Sequence, residues 1–115
     1  MKDNHILIVD TGALACLFAA RLTQVGYAVT MLGTWKEGLD ALRQNGVRLV
    51  DSNENEQQFK VHATDNPREC VGAKHVIVLV KAWQTERAAR QLKECLADDG
   101  IALTPNPFPN GDGSL

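Results

Sequence analysis

Residues 5–22, HILIVDTGALACLFAARL, predict a strand, a tight turn and a helix in immediate succession, and this unit indicates the class of fold. Residues 5–9 are mostly isoleucine, leucine and valine, a composition typical of a strand buried on both faces of a parallel sheet. From residue 13 to residue 25 apolar side chains recur at spacings of three and four, which predicts a helix. The chain therefore opens as a β–turn–α unit.

The rest of the chain repeats the order of strand and helix. Patterning predicts strands at residues 27–32, 47–50, 59–63, 75–80 and 101–104, and helices at residues 36–45 and 85–97. The strands at 47–50 and 59–63 are predicted to form one hairpin, and "DNPRE" a short helical turn capped by Asp65 or Asn66. Alternating strands and helices predict a doubly wound α/β fold, a mostly parallel Rossmann-like sheet with helices on both faces. Residues 1–104 would form this single domain, and residues 105–115, rich in proline and glycine, a loop or tail.

Composition excludes several classes of function. The 115 residues carry a formal net charge of −2, with scattered basic residues, so we expect no nucleic-acid partner and no membrane surface. No apolar run approaches the ~20 residues that span a bilayer, and the amino terminus lacks the apolar core of a signal peptide. Cys16, Cys70 and Cys95 have no CxxC spacing, which predicts buried, reduced thiols in a cytoplasmic protein rather than a metal site.

The turn after the first strand suggests a ligand site. In doubly wound sheets ligands bind beyond the carboxyl ends of the strands, where the strand order reverses. Residues 10–15 read D-T-G-A-L-A against the dinucleotide-binding pattern G-x-G-x-x-G/A. Gly12 supplies the second glycine and Ala15 the permitted alanine, but Asp10 stands at the first glycine.

Three longer segments carry a resemblance to a known family. "GALACLFAARLTQVGYAVTMLGTWKEGLDALRQNGVRL", then "VIVLVKAWQT", then an "NGxG" near the last strand resemble the amino-terminal domain of ketopantoate reductase. That family reduces 2-dehydropantoate with NADPH, and the resemblance covers nearly all of the chain in order. It implies an oxidoreductase fold with an NADP(H) site.

The resemblance also implies which residues bind. The backbone at Gly12, Ala13 and Leu14 would face the cofactor pyrophosphate at the start of the helix. Lys81 would lie beside the cofactor phosphates and Gln84 one turn further along. Asn110 would hold the nicotinamide ribose and substrate, although Asn106 competes for this role.

Two departures from the family pattern count against activity. The family arginine that holds the 2′-phosphate is missing after the second strand, so only Thr34 and Lys36 remain for that role, and the preference between NAD and NADP stays open. The family's catalytic lysine and substrate-binding glutamate belong to a helical domain with no match in these residues. We therefore expect a domain that is inactive alone. The alternatives are a cofactor-free binding or assembly module, as a homodimer or with a separate helical partner chain, and a fragment of a complete NADPH-dependent reductase.

Asp10 is the third departure and has two interpretations. Its carboxylate would crowd the turn and repel a phosphate, or it would accept hydrogen bonds from the amides of residues 12–14 and cap the helix. We favour the cap, so NADP(H) binding is expected to be weak or absent. On this view Asp10→Gly raises cofactor affinity and lowers stability.

Overall fold

The computed structural model describes residues 4–50, 52–80 and 85–103. Within them lie a five-stranded parallel sheet, a two-stranded antiparallel hairpin and three α-helices. The strands are β1 (His5–Val9), β2 (Ala28–Leu32), β3 (Val47–Val50), β4 (Glu56–Phe59), β5 (His62–Thr64), β6 (Ala73–Val78) and β7 (Leu96–Leu103). The helices are α1 (Ala13–Gln24), α2 (Lys36–Asn45) and α3 (Thr85–Cys95), with a 3-10 helix at Pro67–Cys70.

The sheet order is β5-β2-β1-β6-β7, and every neighbouring pair is parallel. The chain begins at the centre, moves outward through β2 and β5, and returns to the other side of β1 for β6 and β7. The strand order therefore reverses at β1, as a doubly wound sheet requires. This confirms the predicted fold class.

Strand β1 is buried on both faces, as predicted. Ile6 and Ile8 belong to the core under α1 and α2, whereas Leu7 and Val9 belong to the core under α3. Burying a large apolar side chain contributes about 1.5–3 kcal/mol, so this strand anchors both layers.

Helix α1 packs on the sheet through its small residues. Ala15, Ala19 and Ala20 have no exposed surface, so the helix backbone approaches the strands closely. Ala15 occupies the third small position of the turn pattern, whose role is this close helix–strand contact. Most of the large apolar residues that gave the helical spacing lie outward instead: Leu14 is 50% exposed and Leu17 45%, whereas Leu22 packs against the core.

The prediction of the hairpin's second strand was wrong. Strand β3 pairs with β4, with Val47 opposite Phe59, whereas β5 joins the parallel sheet beside β2. Residues 59–63 therefore belong to two different sheets. Strand β4 is an exposed, polar strand held by backbone pairing and by an Arg48–Glu56 ion pair, so its sequence resembles a solvated turn.

The last helix and strand also differ from the prediction. Helix α3 ends at Cys95, and β7 begins at once with Leu96 paired to Ala73. A Cβ on Gly100 would lie 2.7 Å from the carbonyl oxygen of Ala73, so glycine allows β7 to approach β6 at the irregularity in their pairing. Strand β6 itself covers Ala73–Val78 rather than residues 75–80.

The predicted cap of the 3-10 helix is confirmed, and the predicted burial of the three thiols holds for two of them. The carbonyl side-chain oxygen of Asn66 accepts a hydrogen bond from the Arg68 amide and caps the 3-10 helix. Gly46 ends α2 with a φ of +70°, a backbone conformation that favours glycine. Cys70 and Cys95 are buried free thiols, while Cys16 is half-buried.

An apolar cleft lies beside β7 on the face of the sheet that α1 packs against. It encloses about 460 Å³ and is lined mainly by Ile6, Tyr27, Ile77, Ile101 and Leu103. Ile101 is 61% exposed and Leu103 64%, so the helices of the described residues leave this edge uncovered. None of those helices is long and apolar enough to cross a membrane.

Candidate functional site

A crevice opens where the strand order reverses, at the carboxyl ends of β1, β2 and β6. Its volume is about 130 Å³. Its lining residues follow these strands or lie on α3: Val9, Asp10, Thr11, Gly12, Leu32, Gly33, Thr34, Trp35, Val80, Arg87 and Gln91. This is the position at which ligands bind in doubly wound sheets.

In the turn after β1, Asp10 adopts a backbone conformation that is normally reserved for glycine. Asp10 has a φ of +140°, a region that side chains rarely adopt, and its amide donates to the Leu32 carbonyl oxygen at 2.8 Å. A Cβ on Gly12 would lie 3.2 Å from Asp10 Oδ2, so the carboxylate lies over Gly12. Burial and the nearby Asp10 carboxylate together raise the pKa of the Cys16 thiol. Negative charge therefore occupies the side of the turn where a pyrophosphate would approach.

The predicted helix cap is not formed. Gly12 is the N-cap of α1, and the helix begins without a side-chain cap hydrogen bond. The Asp10 carboxylate is near the turn, but its position does not provide the stabilisation that the cap would give. The expected loss of stability in Asp10→Gly therefore has no support in the geometry.

The loops after β1 and β2 are in direct contact. The Thr11 side chain is buried, and a Cβ on Gly33 would lie only 2.6 Å from Thr11 Cγ2. The Gly33 amide also donates to the Thr64 carbonyl oxygen at 3.0 Å. Glycine at position 33 is required for this close approach, which fixes the two loops relative to one another.

Trp35 places an aromatic ring at the rim of the crevice. One edge of the indole lies where a side chain on Gly38 would be, since a Cβ there would fall 2.3 Å from Trp35 Cε3. The indole nitrogen donates to Glu37 Oε2 at 2.7 Å. Trp35 is still 59% exposed, so it offers an apolar surface that is held in one orientation.

Sequence reasoning missed the contribution of α3. Arg87 and Gln91, one helical turn apart, both line the crevice. Arg87 is half-buried, and its Nε is a buried donor without a hydrogen-bond partner among the described residues. A basic residue in the first turn of a helix is unfavourable, because it opposes the helix dipole. This unfavourable position was the one sequence signal that could have indicated a role for Arg87.

The predicted site residues fall into three groups. Gly12 and Thr34 line the crevice, and Ala13 and Leu14 form the start of α1 beside it. Lys36 is exposed at the start of α2 and is not among the crevice-lining residues. The remaining predicted residues lie outside the described residues: Lys81, Gln84, Asn110 and its competitor Asn106.

Comparison with known proteins fits this architecture. The family described as "Ketopantoate reductase PanE/ApbA" matches residues 6–109. The chain belongs to the ketopantoate reductase family. The resemblance seen in the sequence is thereby confirmed, and with it a Rossmann-like oxidoreductase fold.

Individual relatives are about three times as long as the region that they share with this chain. A 2-dehydropantoate 2-reductase from Halobacterium salinarum is 30% identical over 96% of this chain but only 35% of its own length. A PanE/ApbA family ketopantoate reductase from Ralstonia eutropha matches with a TM-score of 0.76 and 27% identity, over 87% of this chain and 34% of the other. A D-mandelate dehydrogenase solved with NADH shares the fold at a TM-score of 0.76 and 21% identity, over 87% and 32%. The chain thus spans about a third of the length of these relatives.

The two sides of the crevice differ in how well they suit a dinucleotide. On the side of β2 and α3, an aromatic ring and a guanidinium whose Nε lacks a hydrogen-bond partner in the described residues suit a phosphorylated adenosine. At the turn after β1, Gly12 leaves the backbone accessible, but the Asp10 carboxylate lies over it. The adenosine half therefore fits, and the pyrophosphate position carries an opposing charge.

Proposed function

We propose that this chain forms the NADP(H)-binding part of a reductase of 2-dehydropantoate or a closely related 2-keto acid. The observation that carries the proposal is the crevice at the strand-order reversal, built from the turn at Gly12 and the loop at Thr34 in a chain of the ketopantoate reductase family. When bound, NADPH supplies a hydride to the keto carbon. The three free cysteines are consistent with a cytoplasmic enzyme.

The chain's own residues would bind and orient the cofactor. The start of α1, from Gly12 to Leu14, directs backbone amides toward the pyrophosphate. Thr34 would contribute a hydroxyl near the adenosine ribose. By the resemblance, Lys81, Gln84 and Asn110 would hold the phosphates, the nicotinamide ribose and the substrate.

The test is a calorimetric titration of the 115-residue chain with NADPH and with NADH. We expect weak binding, because Asp10 opposes the pyrophosphate, and a preference for NADPH. Saturable binding of either dinucleotide supports the proposal. Absence of binding to both, in the wild type and in the Asp10→Gly variant, would refute it.

The chain is further proposed to be inactive as a reductase by itself. The proton donor and the substrate-binding glutamate of the family have no match in these 115 residues, so the developing alkoxide has no acid to protonate it. Reduction of 2-dehydropantoate, followed as loss of NADPH absorbance, should stay at background. Measurable turnover by the purified chain would contradict this.

A second candidate role is self-association, favoured by the uncovered cleft beside β7. Its lining is apolar, and Ile101 and Leu103 expose most of their surface. Contiguous exposed apolar surface of this kind is typical of an interface, and a C2 dimer is the simplest closed arrangement. A second copy, rather than a separate helical partner, is the occupant we propose for the isolated chain.

Sedimentation velocity of the wild type and of the Ile101→Glu variant tests this role. The wild type should sediment as a dimer at high micromolar concentration, and Ile101→Glu as a monomer. Val71→Glu is the matched control, because Val71 is equally exposed (61%) but does not line the cleft. A wild type that stays monomeric would refute self-association and favour a separate partner chain.

A further inference from the structure

Among the described residues that line the crevice, Arg87 is the one whose side chain has a buried donor without a hydrogen-bond partner. Its Nε has no hydrogen-bond partner among the described residues, although the side chain is half-buried. A buried donor without a partner is costly, and a charged one more so. An anion that accepts a hydrogen bond from Arg87 would therefore remove this cost.

The position of Arg87 identifies the part of a ligand that it would meet. Arg87 lines the crevice from α3, together with Gly33, Thr34 and Trp35 from the loop after β2. In Rossmann-type sheets the end of the second strand is where the adenosine ribose is recognised. The expected basic residue is absent from that loop, and Lys36 is not part of the crevice lining.

We infer that Arg87 binds the 2′-phosphate of NADP(H) from α3 and thereby gives this chain its preference for NADP(H) over NAD(H). The inference rests on the proposed function. It assigns the binding of the 2′-phosphate to a basic residue on α3, because the loop after β2 does not supply one. A guanidinium can donate to a phosphate through Nε and Nη together, which gives both charge and direction. Arg87 lines the crevice, and its buried Nε gains a partner once the side chain turns toward the bound phosphate.

An alternative role for Arg87 is purely structural, as a counter-charge to Asp10, which lines the same crevice. A counter-charge would attract any nucleotide phosphate, whatever its position on the ribose. Recognition of a 2′-phosphate, by contrast, depends on where the phosphate is attached. The two roles are therefore distinguished by ligands of equal charge and different geometry.

The experiment uses adenosine 2′,5′-bisphosphate, adenosine 3′,5′-bisphosphate and 5′-AMP as probes of the 115-residue chain, with Kd measured by ligand-observed NMR. The wild type should bind the 2′,5′-bisphosphate most tightly. Arg87→Gln should weaken that binding by roughly tenfold or more while changing the Kd of 5′-AMP less than about twofold. Arg90→Gln is the matched control, since Arg90 lies on the same helix, is exposed and is paired with Glu86, and it should leave all three values unchanged.

Each other outcome decides the matter. If Arg87→Gln keeps the preference for the 2′,5′-bisphosphate, Arg87 does not read the phosphate. If the wild type binds the two bisphosphates equally, the structural counter-charge is the correct role. If NADPH and NADH bind equally, the inference falls while the proposed function stands, and if no nucleotide binds, both fall. Should Arg87→Gln fail to fold by circular dichroism, Arg87→Lys decides, because loss of the planar fork should still weaken the 2′,5′-bisphosphate severalfold and an unchanged Kd would overturn the inference.

Discussion

The two rims of the crevice carry opposite charge and differ in how well they suit an anionic ligand. The first-strand turn, made of Asp10, Thr11 and Gly12, holds a carboxylate over the glycine and a backbone in an unfavourable conformation. The α3 rim, made of Arg87 and Gln91, holds a buried guanidinium donor, the Arg87 Nε, that has no partner within the described part of the chain. One side of the crevice is therefore expected to repel an anionic ligand and the other to attract it. The two sides differ more in the sign of their charge than in the shape of their backbone.

The largest expected effect comes from removing the charge at the first-strand turn. A carboxylate about 4 Å from a phosphate costs about 4 kcal/mol at an effective dielectric of 20, or roughly a thousandfold in affinity. Asp10→Gly should therefore strengthen NADPH binding by up to that factor, measured as Kd by calorimetry. Asp10→Asn, which removes the charge and keeps the side chain, should recover most of the gain, and an unchanged Kd in both variants would show that Asp10 does not oppose the cofactor.

The same substitution should raise stability rather than lower it. A φ of +140° at a non-glycine residue stores about 1–3 kcal/mol of strain, and no cap hydrogen bond is lost. Glycine's extra freedom in the unfolded chain offsets about 0.4–1 kcal/mol of this. Urea unfolding should show a net gain of roughly 1 kcal/mol for Asp10→Gly and none for Asp10→Asn, whereas a loss in Asp10→Gly would revive the capping interpretation.

The contact between Thr11 and Gly33 joins the loops after β1 and β2, and a single substitution can disrupt it. Gly33→Ala places a Cβ 2.6 Å from Thr11 Cγ2, so the Thr11 side chain or one of the loops must shift. Overpacking of this kind costs about 1–3 kcal/mol, measured as a fall in the free energy of unfolding. Adding Thr11→Ala removes the nearest atoms and should restore part of the loss. A double variant no more stable than Gly33→Ala would mean that Thr11 is not the obstacle.

How far the sequence predicts this molecule depends on the physical signal at each position. Strand β1 and helix α2 were predicted with their observed bounds, because apolar periodicity defines them locally. Strand β4 was missed because its backbone pairing needs no apolar pattern. Arg87 was missed because its significance lies in a crevice formed only when α3 packs beside the loop after β2, a contact that sequence spacing does not encode.

Substitution of Trp35 tests whether the side of the crevice formed by β2 and α3 recognises the base as well as the phosphate. Stacking of a base on an aromatic side chain is worth about 1 kcal/mol or more, or roughly fivefold in affinity. Trp35→Ala should weaken 5′-AMP and adenosine 2′,5′-bisphosphate by the same factor, measured by NMR titration. A loss confined to the bisphosphate would instead assign Trp35 to the phosphate site.

The smallest expected effect is a pH dependence of stability that arises from His5, at the end of the sheet opposite the crevice. Burial of the ring lowers the pKa of His5 below its usual 6.5, and Nε2 lies 2.6 Å from Thr30 Oγ1. Because the unfolded chain then binds a proton more readily than the folded chain, stability is complete above about pH 6.5 and declines as the pH falls below it. Thermal unfolding between pH 7.5 and 5 should show this decline, and His5→Gln should remove its share of it; an unaltered slope would exclude His5.

Helix α3, which carries Arg87, also carries a chemical reporter of its own motion. The Cys95 thiol donates to the Pro67 carbonyl oxygen at 3.1 Å, and burial raises the pKa of the neighbouring Cys70 to about 12. Both thiols should react slowly with an alkylating reagent while the helix is docked, because burial disfavours the thiolate and limits access of the reagent. The labelling rate of these two cysteines therefore measures how often α3 detaches from the sheet, and a nucleotide that binds Arg87 should slow that rate without touching either sulfur.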